Sequence, residues 1–157
     1  MFKFAKLSNK NIYNAMYNAM RTCTQAIPDK DPKQVQEARN LREDCPMNKA
    51  KMGLAAWSIM HSFAAYYPER PTVFQKRMAR NFYEAIPHMY PCVTCCADYL
   101  KYLESNPVQV SSRLDLNMWL CIFHNAVNKK LGKPEYDCSK VAERWKDGWL
   151  DGSCDQE

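Results

Sequence analysis

Prolines cut most of this chain into lengths that helices fill and strands do not. Between Lys49 and Pro134, apolar residues recur every three or four positions, with breaks at Pro68, Pro87, Pro107 and Pro134. The 157 residues include only four glycines, and no stretch alternates apolar with polar residues, so a helical fold is expected. A first helix is expected from about Lys49 to Tyr66, stopping before Pro68. A second starts near Pro71–Thr72, sets Phe74, Met78, Phe82 and Ala85 at helical spacing, and ends before Pro87. A third runs from Pro91–Cys92 to just before Pro107. A fourth starts at Ser112, where Ser112-x-x-Asp115 resembles a capping box, and ends at Leu131–Gly132, with Gly132 as the C′ residue. A short fifth runs from about Ser139 to Trp149. Helices joined by such brief loops pack best as a four-helix bundle with one extra helix, an all-α fold.

Length fits one domain with a short appendage. Residues 1–44 read as an N-terminal extension, with Pro28-Asp-Lys-Asp-Pro32 as a turn or linker. The ordered domain is expected from Cys45 to residue 157. A net charge of +5 is modest; it suits an acidic ligand such as a dinucleotide, or simply a solvated basic surface, and gives no sign of nucleic-acid binding. The most apolar stretch, around Leu54 to Met60, is far shorter than the roughly 20 residues of a spanning helix. No continuous apolar block marks a secretory signal. Lys3, Lys6, Lys10 and Arg21 precede the first acidic residue, Asp29, as in a matrix-type targeting helix or a basic surface segment.

Eight cysteines are many for a chain of this size: Cys23, Cys45, Cys92, Cys95, Cys96, Cys121, Cys138 and Cys154. They point to disulfides, metal ligation or redox chemistry. Cys92-Val-Thr-Cys95 is a C-x-x-C pair at an expected helix start, where free N–H groups and the helix dipole favour a thiolate. The same spacing serves a structural metal pair, and Cys121-x-x-His124 completes a set of three thiols and an imidazole acceptable to zinc. Cys121, His124, Asn125 and Asn128 share one face of the fourth helix, beside apolar Trp119, Leu120, Phe123, Val127 and Leu131. Buried, that strip needs polar partners such as the edge of a heterocyclic cofactor; exposed, it is an ordinary polar face. Gly53, Trp57 and His61 recur every four residues on the first helix, and Trp145 and Trp149 on the last. Each set alone also reads as core packing. No G-x-G-x-x-G supports a Rossmann cofactor site, and no βαβ pattern surrounds the C-x-x-C.

Taken together, the motifs resemble one family. C-P-M-N-K, W-S-I-M-H-S-F-A-A-Y-Y-P, Y-P-C-V-T-C, W-L-C-I-F-H-N-A-V-N-K-K-L-G-K-P, Y-D-C-S-K-V and E-R-W-K-D-G-W-L-D-G-S-C-D occur in one order from Cys45 to Asp155. The chain is similar to the Erv/ALR family of FAD-linked sulfhydryl oxidases. The resemblance implies a thiol oxidase that makes disulfides in protein substrates, with one FAD held within the bundle. It implies that Cys92 and Cys95 are the catalytic disulfide, Cys95 nearer the flavin. It makes Cys121–Cys138 a structural disulfide and Cys45–Cys154 a bridge between the subunits of a homodimer. Lys49, Gly53, Trp57, His61, Tyr90, Cys121, His124, Asn125, Val127, Asn128, Lys130, Leu131, Lys133, Tyr136, Arg144 and Trp145 fall at its cofactor positions.

The resemblance also implies oxygen, reduced to hydrogen peroxide, or cytochrome c as acceptor. It implies an import-pathway oxidoreductase as partner and the mitochondrial intermembrane space, or another oxidising compartment, as location. The chain departs from the family at Leu54, where an arginine is usual, at Cys96 in place of alanine, and at Ala126 in place of glutamate. Its extension holds only Cys23, not the second C-x-x-C that shuttles electrons in many relatives. Cys23 is then either a one-cysteine relay or an incidental thiol, and direct access of substrates to Cys92 is the favoured expectation.

Overall fold

The computed structural model describes residues 45–154. The expected extension with its Pro28–Pro32 turn, the basic N-terminal segment, Cys23 and Asp155 lie outside the described residues. Four α-helices follow in order: α1 (Lys49–Ala65), α2 (Val73–Met89), α3 (Val93–Ser105) and α4 (Arg113–Lys130). No strand occurs among the described residues. α1 packs against α4 and α2 against α3.

Local chemistry sets the helix starts. Thr72 and Gln75 form a reciprocal capping box on α2: the Gln75 N–H donates to Thr72 Oγ1 at 3.2 Å and the Thr72 N–H to Gln75 Oε1 at 2.9 Å. On α4 the Asp115 N–H donates to Ser112 Oγ at 3.1 Å, but the Asp115 carboxylate accepts from the Ser112 hydroxyl, at 2.7 Å. It is therefore half of the expected box. Gly132, just past the α4 C-cap, adopts φ 66°, the left-handed conformation that glycine takes without steric cost.

Two helix boundaries differ from expectation. α2 does not stop before Pro87 but carries it, buried, in its last turn. Proline has no N–H to give the Tyr83 carbonyl; the Tyr99 hydroxyl of α3 donates to that carbonyl instead, at 3.0 Å. The fifth helix is not a regular α-helix to Trp149. It is a 3₁₀ turn (Cys138–Lys140) leading into a π-helical turn (Glu143–Asp147), ended by Gly148 at φ 83°. Trp149 therefore lies beyond it, and Trp145 and Trp149 do not form one helical pair.

The core gathers Met60, Ala64, Tyr83, Tyr99, Leu116, Trp119, Leu120 and Phe123. Its phenols are satisfied: Tyr83 donates to the Met60 carbonyl at 2.8 Å and Tyr67 to the Val110 carbonyl at 3.1 Å, as burial of a hydroxyl requires. Tyr99 stacks on Phe123 with ring centroids 4.5 Å apart. The apolar row expected on α2 is only partly absorbed here. Phe74 and Met78 stay exposed and, with Phe63 and Phe82, line an apolar groove on the outer side of α1 and α2.

Candidate active site

Cys92 and Cys95 are joined as a disulfide at the start of α3. Cys92 is the helix N-cap: its sulfur accepts the Cys95 N–H at 3.4 Å and lies 3.6 Å from Thr94 Oγ1. The preceding turn is pinned at the Tyr90 carbonyl, which accepts both the Cys92 N–H, at 2.8 Å, and the Cys96 S–H, at 3.1 Å. Cys96 is buried, and burial pushes its thiol above the usual range. It is thus a structural donor, not a thiolate competing with its neighbour.

Two contacts place this disulfide at one end of the bundle. The Tyr90 hydroxyl lies where a Cβ on Gly53 would be 3.7 Å away, against α1. Asp98, one turn beyond Cys95, pairs with Lys130 at the end of α4. No local pattern marks Asp98, because its partner is distant in sequence.

The other expected residues form an aromatic and imidazole cluster where α1, α4 and the C-terminal turns meet. Trp57 and His124 stack at 3.9 Å with ring planes 3° apart, and His61 and Trp145 at 4.7 Å and 4°. His61 Nε2 and His124 Nδ1 share a hydrogen bond of 3.0 Å. Arg144 lies over the rings of Tyr136, at 5.2 Å, and Trp145, at 5.0 Å. The Asn125 carboxamide clasps the Tyr136 backbone, donating to its carbonyl and accepting its N–H, both at 2.8 Å. Asn128 donates to Asn125 at 3.4 Å, and the Asn128 carbonyl accepts the Lys133 N–H at 2.9 Å. Cys121 and Cys138 form a second disulfide that ties the 3₁₀ turn to α4. Val127 is half-buried, whereas Lys49, Lys130 and Leu131 are exposed at helix ends. Leu54 is exposed too, at 66%. Cys45 and Cys154 are free and exposed in the single chain.

The cluster has the properties of a dinucleotide pocket. Burial, the second imidazole and Arg144 hold His61 down to about 3; burial, Arg144 and Lys133 hold His124 down to about 4. Both rings are therefore neutral at physiological pH. Two cations stand beside them, ready for a pyrophosphate. His61 Nδ1 is buried without a partner, an orphan that the polar edge of a bound heterocycle would satisfy. Aromatic faces, amides, cations and that orphan fit FAD. The alternative zinc set of Cys92, Cys95, Cys121 and His124 is not assembled: its three sulfurs are divided between two disulfides, and His124 is stacked on Trp57.

The histidine pair makes stability depend on pH. Unfolded histidines take up protons near pH 6.5, while the folded pair resists until about 3 for His61 and 4 for His124. Below pH 6.5 the unfolded state thus binds more protons, and stability present above 6.5 is lost as pH falls. For buried His61 the loss is about 1 kcal/mol per pH unit averaged between pH 7 and 5. Denaturant unfolding between pH 7 and 5 should show this slope in wild type and a shallower one in His61→Gln; equal slopes would contradict the buried neutral pair.

An all-helical bundle that carries a C-x-x-C disulfide and an aromatic and imidazole cluster fitting FAD is the arrangement expected of a flavin-dependent thiol oxidase. A model of the Erv1 / Alr family matches residues 54–146. The mitochondrial FAD-linked sulfhydryl oxidase ERV1 of Saccharomyces cerevisiae is 39% identical over 144 residues, 92% of this chain and 76% of that protein. The FAD-linked sulfhydryl oxidase ERV1 of Oryza sativa is 42% identical over 115 residues, 71% of this chain and 58% of its own length. The crystal structure of the yeast Erv1 core superposes with a TM-score of 0.67 at 44% identity, covering 71% of this chain and 94% of that one. The FAD-binding domain of Erv1 from S. cerevisiae gives a TM-score of 0.64 at 45% identity, covering 66% of this chain and 99% of that one. The chain belongs to the Erv1 / Alr family. Its all-α fold, its FAD and its thiol-oxidase chemistry are those of that family.

Proposed function

We propose that this chain is the oxidase of a mitochondrial disulfide-forming pathway, with Cys92–Cys95 as its redox-active pair and the Trp57–His124 and His61–Trp145 stacks enclosing FAD. The observation that carries this reading is the Cys92–Cys95 disulfide at the N-terminus of α3, preceded by Tyr90, whose hydroxyl lies against Gly53, one turn from Trp57 on α1. A thiolate of a protein substrate attacks Cys92 Sγ, and Cys95 leaves as a thiolate. The substrate's second thiolate then attacks its own sulfur in the mixed disulfide and releases Cys92. The substrate has lost two electrons and gained one disulfide; Cys92 and Cys95 hold those electrons as a dithiol. FAD, when bound, supplies a two-electron acceptor for that dithiol. The chain's own part is to bind and orient that group with Arg144, Lys133, Asn125 and the ring stacks, and to present Cys95 to it. Oxygen takes the electrons and yields hydrogen peroxide, with cytochrome c as the alternative acceptor. The intermembrane space and an import-pathway oxidoreductase fit this chemistry, and the domain is taken as residues 45–157 after a 44-residue extension. With only Cys23 in that extension, substrates meet Cys92 directly.

An oxygen electrode tests the reaction. Dithiothreitol should drive oxygen uptake with one peroxide formed per disulfide, and oxidised cytochrome c should lower the peroxide yield. A protein that consumes no oxygen and reduces no cytochrome c would refute the activity.

The molecule works as a homodimer in this reading. The apolar groove of Phe63, Phe74, Met78 and Phe82 supports it, since such a surface is unfavourable left in water. The exposed thiols of Cys45 and Cys154 bridge the subunits. Cys154→Ala should remove the covalent dimer from non-reducing gels, and adding Phe74→Glu with Met78→Glu to it should turn the remaining sedimenting dimer into a monomer. A wild-type protein that sediments as a monomer would count against the interface.

A further inference from the structure

We infer that the Thr94 hydroxyl donates to the Cys92 sulfur and stabilises its thiolate when the Cys92–Cys95 pair is reduced, making the pair more oxidising. The inference rests on the reading of that pair as redox-active. A disulfide sulfur carries no hydrogen, so in the contact of 3.6 Å between Thr94 Oγ1 and Cys92 Sγ the hydroxyl must be the donor. The Cys95 N–H donates to the same sulfur at 3.4 Å. Cys92 caps α3, so the open N–H groups of the first turn add their partial positive charge. The dipeptide between the cysteines, Val93-Thr94, has no charge of its own. Dipoles rather than a neighbouring cation in that dipeptide therefore tune this sulfur.

The donors hold a neutral sulfur weakly and an anionic one strongly, because hydrogen bonds to a charged partner are about twice as strong. When substrate dithiol is oxidised, the S–S bond of Cys92–Cys95 breaks and the electron pair is left on the two sulfurs. Cys92 is the thiolate released in the second exchange. Stabilising it favours the reduced pair, which is what a stronger oxidant of substrates means. It also makes Cys92 a better leaving group. Thr94 is exposed, so water replaces part of the interaction when the hydroxyl is removed, and the expected effect is modest. The Cys92 position itself is fixed independently, through the Tyr90 carbonyl and its two donors.

The test compares wild type, Thr94→Val and Thr94→Ser as full-length, flavin-loaded protein. Each is equilibrated without oxygen in mixtures of reduced and oxidised glutathione, then quenched with acid, and the reduced fraction of the Cys92–Cys95 peptide is read by mass after alkylation. Thr94→Val keeps the shape and loses the donor. Its equilibrium should move towards the disulfide by roughly three- to ten-fold, or about 15 to 30 mV, while Thr94→Ser should stay at the wild-type value. Alkylation of Cys92 by iodoacetamide should slow by a similar factor when Thr94→Val is added to Cys95→Ser. A Thr94→Val protein with the wild-type equilibrium and alkylation rate overturns the inference, and so does a Thr94→Ser protein shifted as far as Thr94→Val. A wild-type pair that does not titrate with glutathione at all overturns the redox-pair reading, and this inference with it.

Discussion

Cys95→Ser is expected to cut dithiothreitol oxidation by about a hundredfold or more while the protein keeps its flavin. Removing one sulfur leaves no place to store two electrons as a dithiol, and residues that act as one unit lose nearly everything when either is lost. The proposed flavin site is assembled from Trp57, His61, His124, Arg144 and Trp145, none of which needs a thiol at position 95. Cys92→Ser should be equally inactive and equally folded. Cys92 serves as the α3 N-cap, and serine is among the preferred residues for that role. The assay is thiol loss by a chromogenic disulfide, with flavin bound per chain read from visible absorption. Normal turnover in either variant would remove the pair from its role. A colourless but folded Cys95→Ser protein would instead mean that the disulfide shapes the pocket.

Losing the Cys121–Cys138 bridge should have the largest effect on stability. It closes a sequence separation of 17 residues, worth about 3 kcal/mol in the chain-entropy account. For a domain of this size that lowers the melting temperature by roughly 10 to 20 °C. Cys121→Ala and Cys138→Ala should behave alike, and both should lose flavin before they unfold. The bridge anchors the 3₁₀ turn to α4, and the π-helical turn that follows brings Trp145 onto His61. Freed from α4, that segment can carry Trp145 away from its partner. Cys154→Ala should change the melting temperature little, since its thiol is exposed and unbonded within one chain. Melting curves that coincide for wild type and Cys121→Ala would show that packing alone holds the segment.

Most helix boundaries are legible because they are local. Ser112, Thr72 and Gly132 act within one turn, so spacing and residue type suffice to place them. Pro87 departs from that rule for a reason that is not local. A proline is tolerated late in α2 because Tyr99, on another helix, donates to the Tyr83 carbonyl, and no pattern around Pro87 announces that. The fifth helix was legible as helical but not as 3₁₀ and π. It is held by a disulfide to α4 at one end and a ring stack on α1 at the other, and neither partner is near it in sequence. The shared face of His124, Asn125 and Asn128 was visible in the heptad-scale spacing. That His61 meets His124 was not, because it depends on how α1 and α4 are set side by side. Apolar spacing on α2 sets Phe74, Met78 and Phe82 in one row, yet Phe74 and Met78 are exposed. Periodicity tells that a face is apolar, not whether it is covered by the same chain.

The central claim is that this chain binds FAD and feeds it electrons through Cys92–Cys95. One anaerobic titration tests it. The purified protein should show the visible absorption of a bound flavin at one per chain, and dithiothreitol should bleach it in wild type but not in Cys95→Ser. A colourless protein that holds stoichiometric zinc, or a yellow one bleached equally fast in Cys95→Ser, would contradict the account.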